Sequence, residues 1–223
     1  RLPSPTVNGD HVTFSDNVVT NGQTGICFDL GGAPGYGIAQ HTLLLRNRIH
    51  DCGARPADNR QHGIYVERAI DTRIIDNVIY DNADRGIQLY PDAQHTVITG
   101  NVIDGNGEGI IFSGDGSTSS SYATVEHNLL TGSRVRANLE SWWPTAARGV
   151  GNHARRNCLW GGRPLIDRSQ GGFDTAGDTV ADPGYRAARL GDFRIDPKSP
   201  CAALLATSAA PAGPGGEPPV SGP

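Results

Sequence analysis

The residues with the most chemical potential fall in three similar short runs. These are His62-Gly63-Ile64-Tyr65-Val66-Glu67, Arg85-Gly86-Ile87-Gln88-Leu89-Tyr90 and Glu108-Gly109-Ile110-Ile111-Phe112-Ser113. Histidine exchanges a proton near neutral pH, and a tyrosine can pass its phenolic proton across a short distance. His62 and Tyr65 therefore suit removal of a proton beside a carboxylate, with protonation of a leaving oxygen. Arg85 would neutralise that carboxylate and help stabilise the enolate-like intermediate. Glu67 and Glu108 offer hydrolysis instead, which needs one protonated and one ionised carboxylate at a fixed separation. Tyr65, Tyr90, Trp142 and Trp143 offer a third option, stacking on sugar rings while Gln88 and Arg85 bond hydroxyls and carboxylates without turnover. Plain structural roles compete with each: His62 as a turn residue, Arg85 paired with Asp84 or Glu108, and Trp142-Trp143-Pro144 packed under a loop.

The elements that must position these residues emerge from a repeat. Asparagine recurs at 17, 47, 77, 101 and 128, each followed by a short apolar run, at intervals of 30, 30, 24 and 27 residues. A glycine-apolar run recurs after each: Gly25-Ile26-Cys27-Phe28, then the runs at 63, 86 and 109, and a weaker copy at Ala137–Ser141. Periods of this length signal a solenoid, and runs of four to six β-branched residues bounded by Asn and Gly fit strands rather than helix pairs. One coil cannot bury its inward Ile, Val, Leu and Phe; stacking coils roughly 4.8 Å apart gives each strand a parallel neighbour. The expected fold is all-β, a parallel β-helix of about five to six coils with an irregular C-terminal cap. Asparagines at one corner would form an internal ladder, and the glycine before each isoleucine would supply a left-handed or tightly bent residue.

Alternation then sorts the faces. With Ile64, Val66, Ile87, Leu89, Ile110 and Phe112 inward, Tyr65, Gln88, Ile111 and Glu140 form one outward column. Glu67, Tyr90 and Ser113 form a second, extended by Asp29 and Trp142, and His62, Arg85 and Glu108 form a third. The opposing run Arg48, Val78, Val102, Leu129 is far less polar. Insertions at Gly31–Gln40, Gly53–Gln61 and Gly114–Tyr122 adjoin the first face and would wall a groove.

Composition agrees with many short strands. Thirty glycines and fifteen prolines in 223 residues disfavour a helical bundle, while 37% of residues remain hydrophobic. The net charge of −4 provides no basic field for nucleic acid or anionic lipid, and no run of eighteen apolar residues suggests a membrane span. Lys198 is the one lysine, which excludes Schiff-base chemistry on a core lysine. The chain begins at Arg1 and has no methionine, consistent with processing or truncation of a longer protein. A domain over 1–205 and a Pro/Gly-rich disordered tail or linker over 206–223 are expected.

The Asn-Val-Ile and Gly-Ile-x-Leu repeats resemble the right-handed parallel β-helix superfamily that includes the pectate lyases. Ala181-Asp182-Pro183-Gly184-Tyr185, Gly191-Asp192-Phe193-Arg194-Ile195 and Lys198-Ser199-Pro200 resemble the closing segment of its secreted bacterial members. The likeness covers about residues 7 to 205 and implies right-handedness and secretion. For reaction it is less specific, because the superfamily holds lyases, hydrolases, epimerases, tailspikes and adhesins. It also lets Arg85 be the base, the role arginine is thought to have in pectate lyases. The expected function is action on an acidic, uronate-containing polysaccharide by β-elimination or C5 epimerisation. A non-catalytic glycan-binding or structural β-helix and a glycoside hydrolase are the alternatives. No cofactor is required by this reading. Calcium stays open, with Asp29 and Glu67, or Asp115, as weak ligands.

None of the four cysteines forms a CxxC pair. In the repeat register Cys27 lies in one coil and Cys52 beside the Gly53–Gln61 insertion of the next, while Cys158 lies in the last repeat-like strand and Cys201 in the closing segment. Bridges Cys27–Cys52 and Cys158–Cys201 would pin the loop and clip the cap, each contributing on the order of 3 to 4 kcal/mol; four buried free thiols are the alternative.

Overall fold

A computed structural model describes residues 6–33, 35–145 and 147–206. Inward apolar residues and corner turns wind the chain into a parallel β-solenoid with three faces. Sheet one stacks Thr6–Val7, Phe28–Leu30, Ile64–Ile70, Arg85–Gln94, Glu108–Asp115, Leu139–Trp142 and Ile166–Asp167 in that order. Sheet two runs from Thr13–Ser15 to Phe173–Ala176, and sheet three from Val18–Val19 to Thr179–Val180. Ile64, Val66, Ile87, Leu89, Ile110 and Phe112 all face inward and are inaccessible to solvent. The alternation in these strands thus identified the buried face.

The asparagine ladder is present and longer than the sequence suggested. Asn17 starts the ladder by donating to Asn47; Asn77, Asn101, Asn128 and Asn157 each receive a bond from the rung before in turn, and Asn157 donates to Asp178. The buried amides also bond strand-end carbonyls, as Asn101 does with Ile74 and Thr99. A second, shorter ladder joins Cys52, Asn82 and Asn106 at the next corner.

The recurring glycines have a different purpose from the one expected. Gly63, Gly86 and Gly109 do not have positive φ. A Cβ at Gly109 would lie 2.0 Å from the Asn138 carbonyl oxygen, so close approach of the next coil, not backbone handedness, excludes a side chain. Left-handed residues sit one position before each ladder asparagine instead: Asp16, Arg46, Asp76, Gly100, His127 and Arg156, with φ between 52° and 71°. For a non-glycine residue this region costs roughly 1–2 kcal/mol, and the ladder bonds that follow hold the chain there.

Both disulfides form as expected, Cys27–Cys52 and Cys158–Cys201. Cys27 precedes the strand Phe28–Leu30 rather than lying within it. The closing segment docks along the outer face of sheet three, where Phe193 and Cys201 pack with Val102 and Leu129, against Val78, Tyr80, Tyr185 and Leu204. That docking explains the low polarity of the run Arg48, Val78, Val102, Leu129. The expected domain boundary at 205 falls inside a short helix, Ala202–Ala206. Residues 1–5 and the tail from 207 onward lie outside the described residues. No described helix is long and apolar enough to cross a membrane.

Candidate functional site

Among the described residues the outer face of sheet one stays uncapped by any docked segment, and its columns follow from strand register. Asp29, Tyr65, Gln88, Ile111, Glu140 and Asp167 are successive neighbours. Asp29 was expected in the second column. Phe28, not Ile26, pairs with Ile64, so the first coil is displaced by two residues. A two-residue slip preserves the in–out alternation, so periodicity cannot detect it. The second column holds Glu67, Tyr90, Ser113 and Trp142, with Ser113 paired to Trp142 and a register shift after Leu89. In the third, Arg85 pairs with Glu108, and the Arg85 backbone N–H donates to Nδ1 of His62 at 3.4 Å.

The three insertions flank sheet one from both sides. Residues 53–61 enter before Ile64–Ile70. The Gly31–Gln40 insertion ends in Ala39–Gln40, paired to the far end of that strand, and Gly114–Tyr122 includes a short hairpin partner, Thr118–Ser119. On this face a cavity of about 450 Å³ brings together His62, Tyr65, Arg85, Gln88, Tyr90 and Trp142, and of the three insertions only 53–61 contributes to its lining. Asn59 and Arg60 line it from the loop, two contributors the sequence reading did not single out. Their position follows from Asp84, whose buried carboxylate accepts the backbone N–H groups of Asn59, Arg60 and Gln61 at 2.8–2.9 Å. The Tyr65 and Tyr90 rings are 6.4 Å apart and nearly parallel, with the His62 ring edge-on to Tyr65.

Not every expected residue reaches the cavity. Glu67 sits beside it, held to Arg68 at 3.4 Å. Glu108 and Glu140 are buried within a chain of ion pairs. Arg85 Nε lies 2.8 Å from Glu108, Arg136 Nε lies 3.3 Å from Glu108, and an Arg136 Nη lies 2.8 Å from Glu140. Glu108 thus meets two guanidiniums and is poorly placed to alternate between acid and base. Trp143 is buried and donates Nε1–H to the Gly171 carbonyl, so of the tryptophan pair Trp142 alone faces the groove. No spacing signal marked Arg136.

Electrostatics revise several roles. Burial, reinforced by the Arg85 charge, holds His62 well below the usual imidazole range, so it is neutral rather than poised near neutrality. With Nδ1 accepting from the Arg85 backbone, the proton is assigned to Nε2. Burial raises Tyr65 well above the ordinary phenol range, with Glu67 adding to the effect, so it stays protonated and is a weak acid that gives up its proton only to a strongly basic oxygen. Tyr90 is pushed up to about 12 by burial and by its bond to Asp115. Asp29 rises to about 6 through burial and the nearby Glu67, and Glu140 rises to about 7 through burial and the Glu108 charge. Arg85 already has a carboxylate partner, and its Nη1 donates to Gln88 at 3.2 Å.

For a cation the donors are sparse. Among the described residues no three His, Cys, Asp or Glu side chains gather as a metal group. The carboxylate of Asp115 is taken up by the hydroxyls of Tyr90 and Thr145.

A family model described as a right handed beta helix region matches residues 6–157. No curated protein and no solved structure matches the chain.

Proposed function

The chain belongs to the right-handed β-helix family, and from that premise we propose that it is a carbohydrate-active protein whose sheet-one groove holds an acidic polysaccharide. Its activity in this reading is proton chemistry at C5 of a uronate, either β-elimination or epimerisation. The observation that carries the reading is the cavity itself, where Tyr65, Tyr90 and Trp142 border His62, Gln88 and Arg85 on an open face. Aromatic faces stack on sugar rings while fixed polar groups choose the orientation. Two disulfides accord with an oxidising, extracellular setting.

In elimination, a base takes the C5 proton, the electron pair forms the C4–C5 double bond, and the C4–O4 bond breaks. Tyr65 is suited to protonate O4, since its raised pKa keeps the phenol intact. His62 is the nearest neutral base in the cavity, and serves once Nδ1 releases its 3.4 Å bond. Arg60 and the outer edge of Arg85 meet the uronate carboxylate. A second reading, binding without turnover, is favoured by the pairing of Arg85 with Glu108 and by the two hydrogen bonds that engage His62.

Incubation with alginate, pectate and glycosaminoglycans, followed by ultraviolet absorbance of new unsaturated ends, separates the two. Lyase activity lost in Tyr65→Phe and His62→Ala supports elimination. Saturable binding with intact polymer and unchanged C5 configuration by proton NMR establishes the second reading, inverted C5 centres without chain cleavage identify epimerisation, and no binding to any acidic glycan removes both.

A further inference from the structure

Beyond the Arg85–Glu108 ion pair lies a second hollow of about 210 Å³, and Asn59 lines it as well as the main cavity. Its walls come from Ala57, Ala83, Gly107 and Val135, with Arg136 beside them. The polar groups of this hollow are largely committed elsewhere. Asp84 accepts three backbone N–H groups from the 59–61 segment. The Gly107 carbonyl accepts from the N–H groups of Val135 and Arg136 at 2.8 and 3.2 Å, and the Ala83 N–H donates to Cys52 at 2.7 Å. Glu108 is held by its two arginines. Among the described residues the Asn59 side-chain amide makes no hydrogen bond, although its backbone N–H and carbonyl are both engaged.

A bare hydroxyl would find one uncommitted partner here, the Asn59 amide, and would leave the apolar wall of Ala57, Ala83 and Val135 uncovered. The hollow favours a small apolar group carrying one polar atom. Val135 is 65% exposed and Ala57 is also exposed, so both present apolar surface for a ligand to cover. Taking the sheet-one groove as a glycan site, on which this step rests, we infer that the hollow accepts an acetyl substituent of the bound polysaccharide. The methyl group lies against Ala57, Ala83 and Val135. The acetyl carbonyl accepts from the Asn59 amide. Specificity therefore extends beyond the uronate ring to its decoration, and the Asp84-held segment connects the two cavities.

The test uses two pairs of polymers in calorimetric titrations with the whole protein. One pair is an O-acetylated polyuronate before and after mild alkaline deacetylation. The other is an N-acetylated glycosaminoglycan before and after N-deacetylation with the amine recapped as a sulfate, which avoids a new cation. Covering the acetyl methyl and its neighbour predicts about tenfold tighter binding of the acetylated member in at least one pair. The pair that shows the difference identifies an ester or an amide as the linkage. Val135→Asp and Ala57→Leu, both at exposed positions and checked by thermal melting, should collapse the ratio to near one. Equal affinity within both pairs, or a ratio that survives both variants, overturns the acetyl assignment while leaving the groove reading intact. Failure of all four polymers to bind overturns the groove reading and this inference with it.

Discussion

Sheets one and three are built by the same coils, and their outer faces have opposite fates. On sheet three the outward column Arg48, Val78, Val102, Leu129 and Cys158 is largely apolar, and the closing segment covers it with Tyr185, Phe193 and Leu204. On sheet one the outward columns are rich in aromatic and polar residues, insertions rise at their margins, and Tyr65, Gln88, Tyr90 and Trp142 stay at least partly accessible while Ile111, Ser113 and Glu140 are buried. Burial is useful where outward residues are apolar and costly where they are charged, so the closing segment covers the apolar face and not the polar one. The comparison also explains the arginine–glutamate chain. Charged groups drawn under the edge of sheet one must be paired, and Arg85, Glu108, Arg136 and Glu140 pair with one another.

The largest expected effect comes from breaking that chain. Glu108→Gln leaves the Arg85 guanidinium buried without its charge partner, which predicts a loss of about 3–5 kcal/mol in denaturant unfolding. A loss below about 1 kcal/mol would mean that the pair is effectively solvated. Next is the cap. Phe193 is 7% exposed, and Phe193→Ala should cost about 3 kcal/mol and increase binding of a hydrophobic dye. Glycan binding should remain, because the cap and the groove lie on different faces. Trp142→Ala reverses this pattern, since the indole is 40% exposed and borders the groove. It should weaken polysaccharide binding by roughly tenfold, the worth of about one stacked ring, with little change in melting temperature.

The smallest effect is on pH dependence. Burial raises Glu140 to about 7 in the folded state, above an unfolded value near 4.3. The folded protein therefore binds the extra proton, and this residue's contribution is most favourable below about pH 4 and is lost as pH rises toward 7. Glu140→Gln should be less sensitive to pH across that window than the native protein in thermal melts. An unchanged slope would show that Arg136 fully compensates the carboxylate.

Much of this architecture was legible in the sequence because a stacked repeat places like residues at like corners. The five asparagines marked the ladder, and the inward isoleucines marked the core. Asn157 extends the same ladder into the copy that precedes the cap, beyond the five asparagines that the repeat marked. The true left-handed corners escaped because Asp16, Arg46, Asp76, Gly100, His127 and Arg156 have no one residue type in common. Asp29 was misplaced by a slip of two that leaves the pleat unchanged. His62, Tyr65, Arg85, Gln88, Tyr90 and Trp142 were legible as one face, but their protonation and pairing were not. Those depend on burial and on Asp84, Arg136 and the 59–61 segment, contacts between residues more than twenty positions apart.

The central claim is that the uncapped face of sheet one is the ligand surface, and a two-dimensional NMR titration of the protein with a defined acidic oligosaccharide tests it most directly. The account predicts saturable shifts centred on Asn59, Arg60, Tyr65, Gln88, Tyr90 and Trp142, with none along Val78, Val102 and Leu129. Shifts confined to sheets two or three, or no shift at saturating oligosaccharide across the panel, would contradict it.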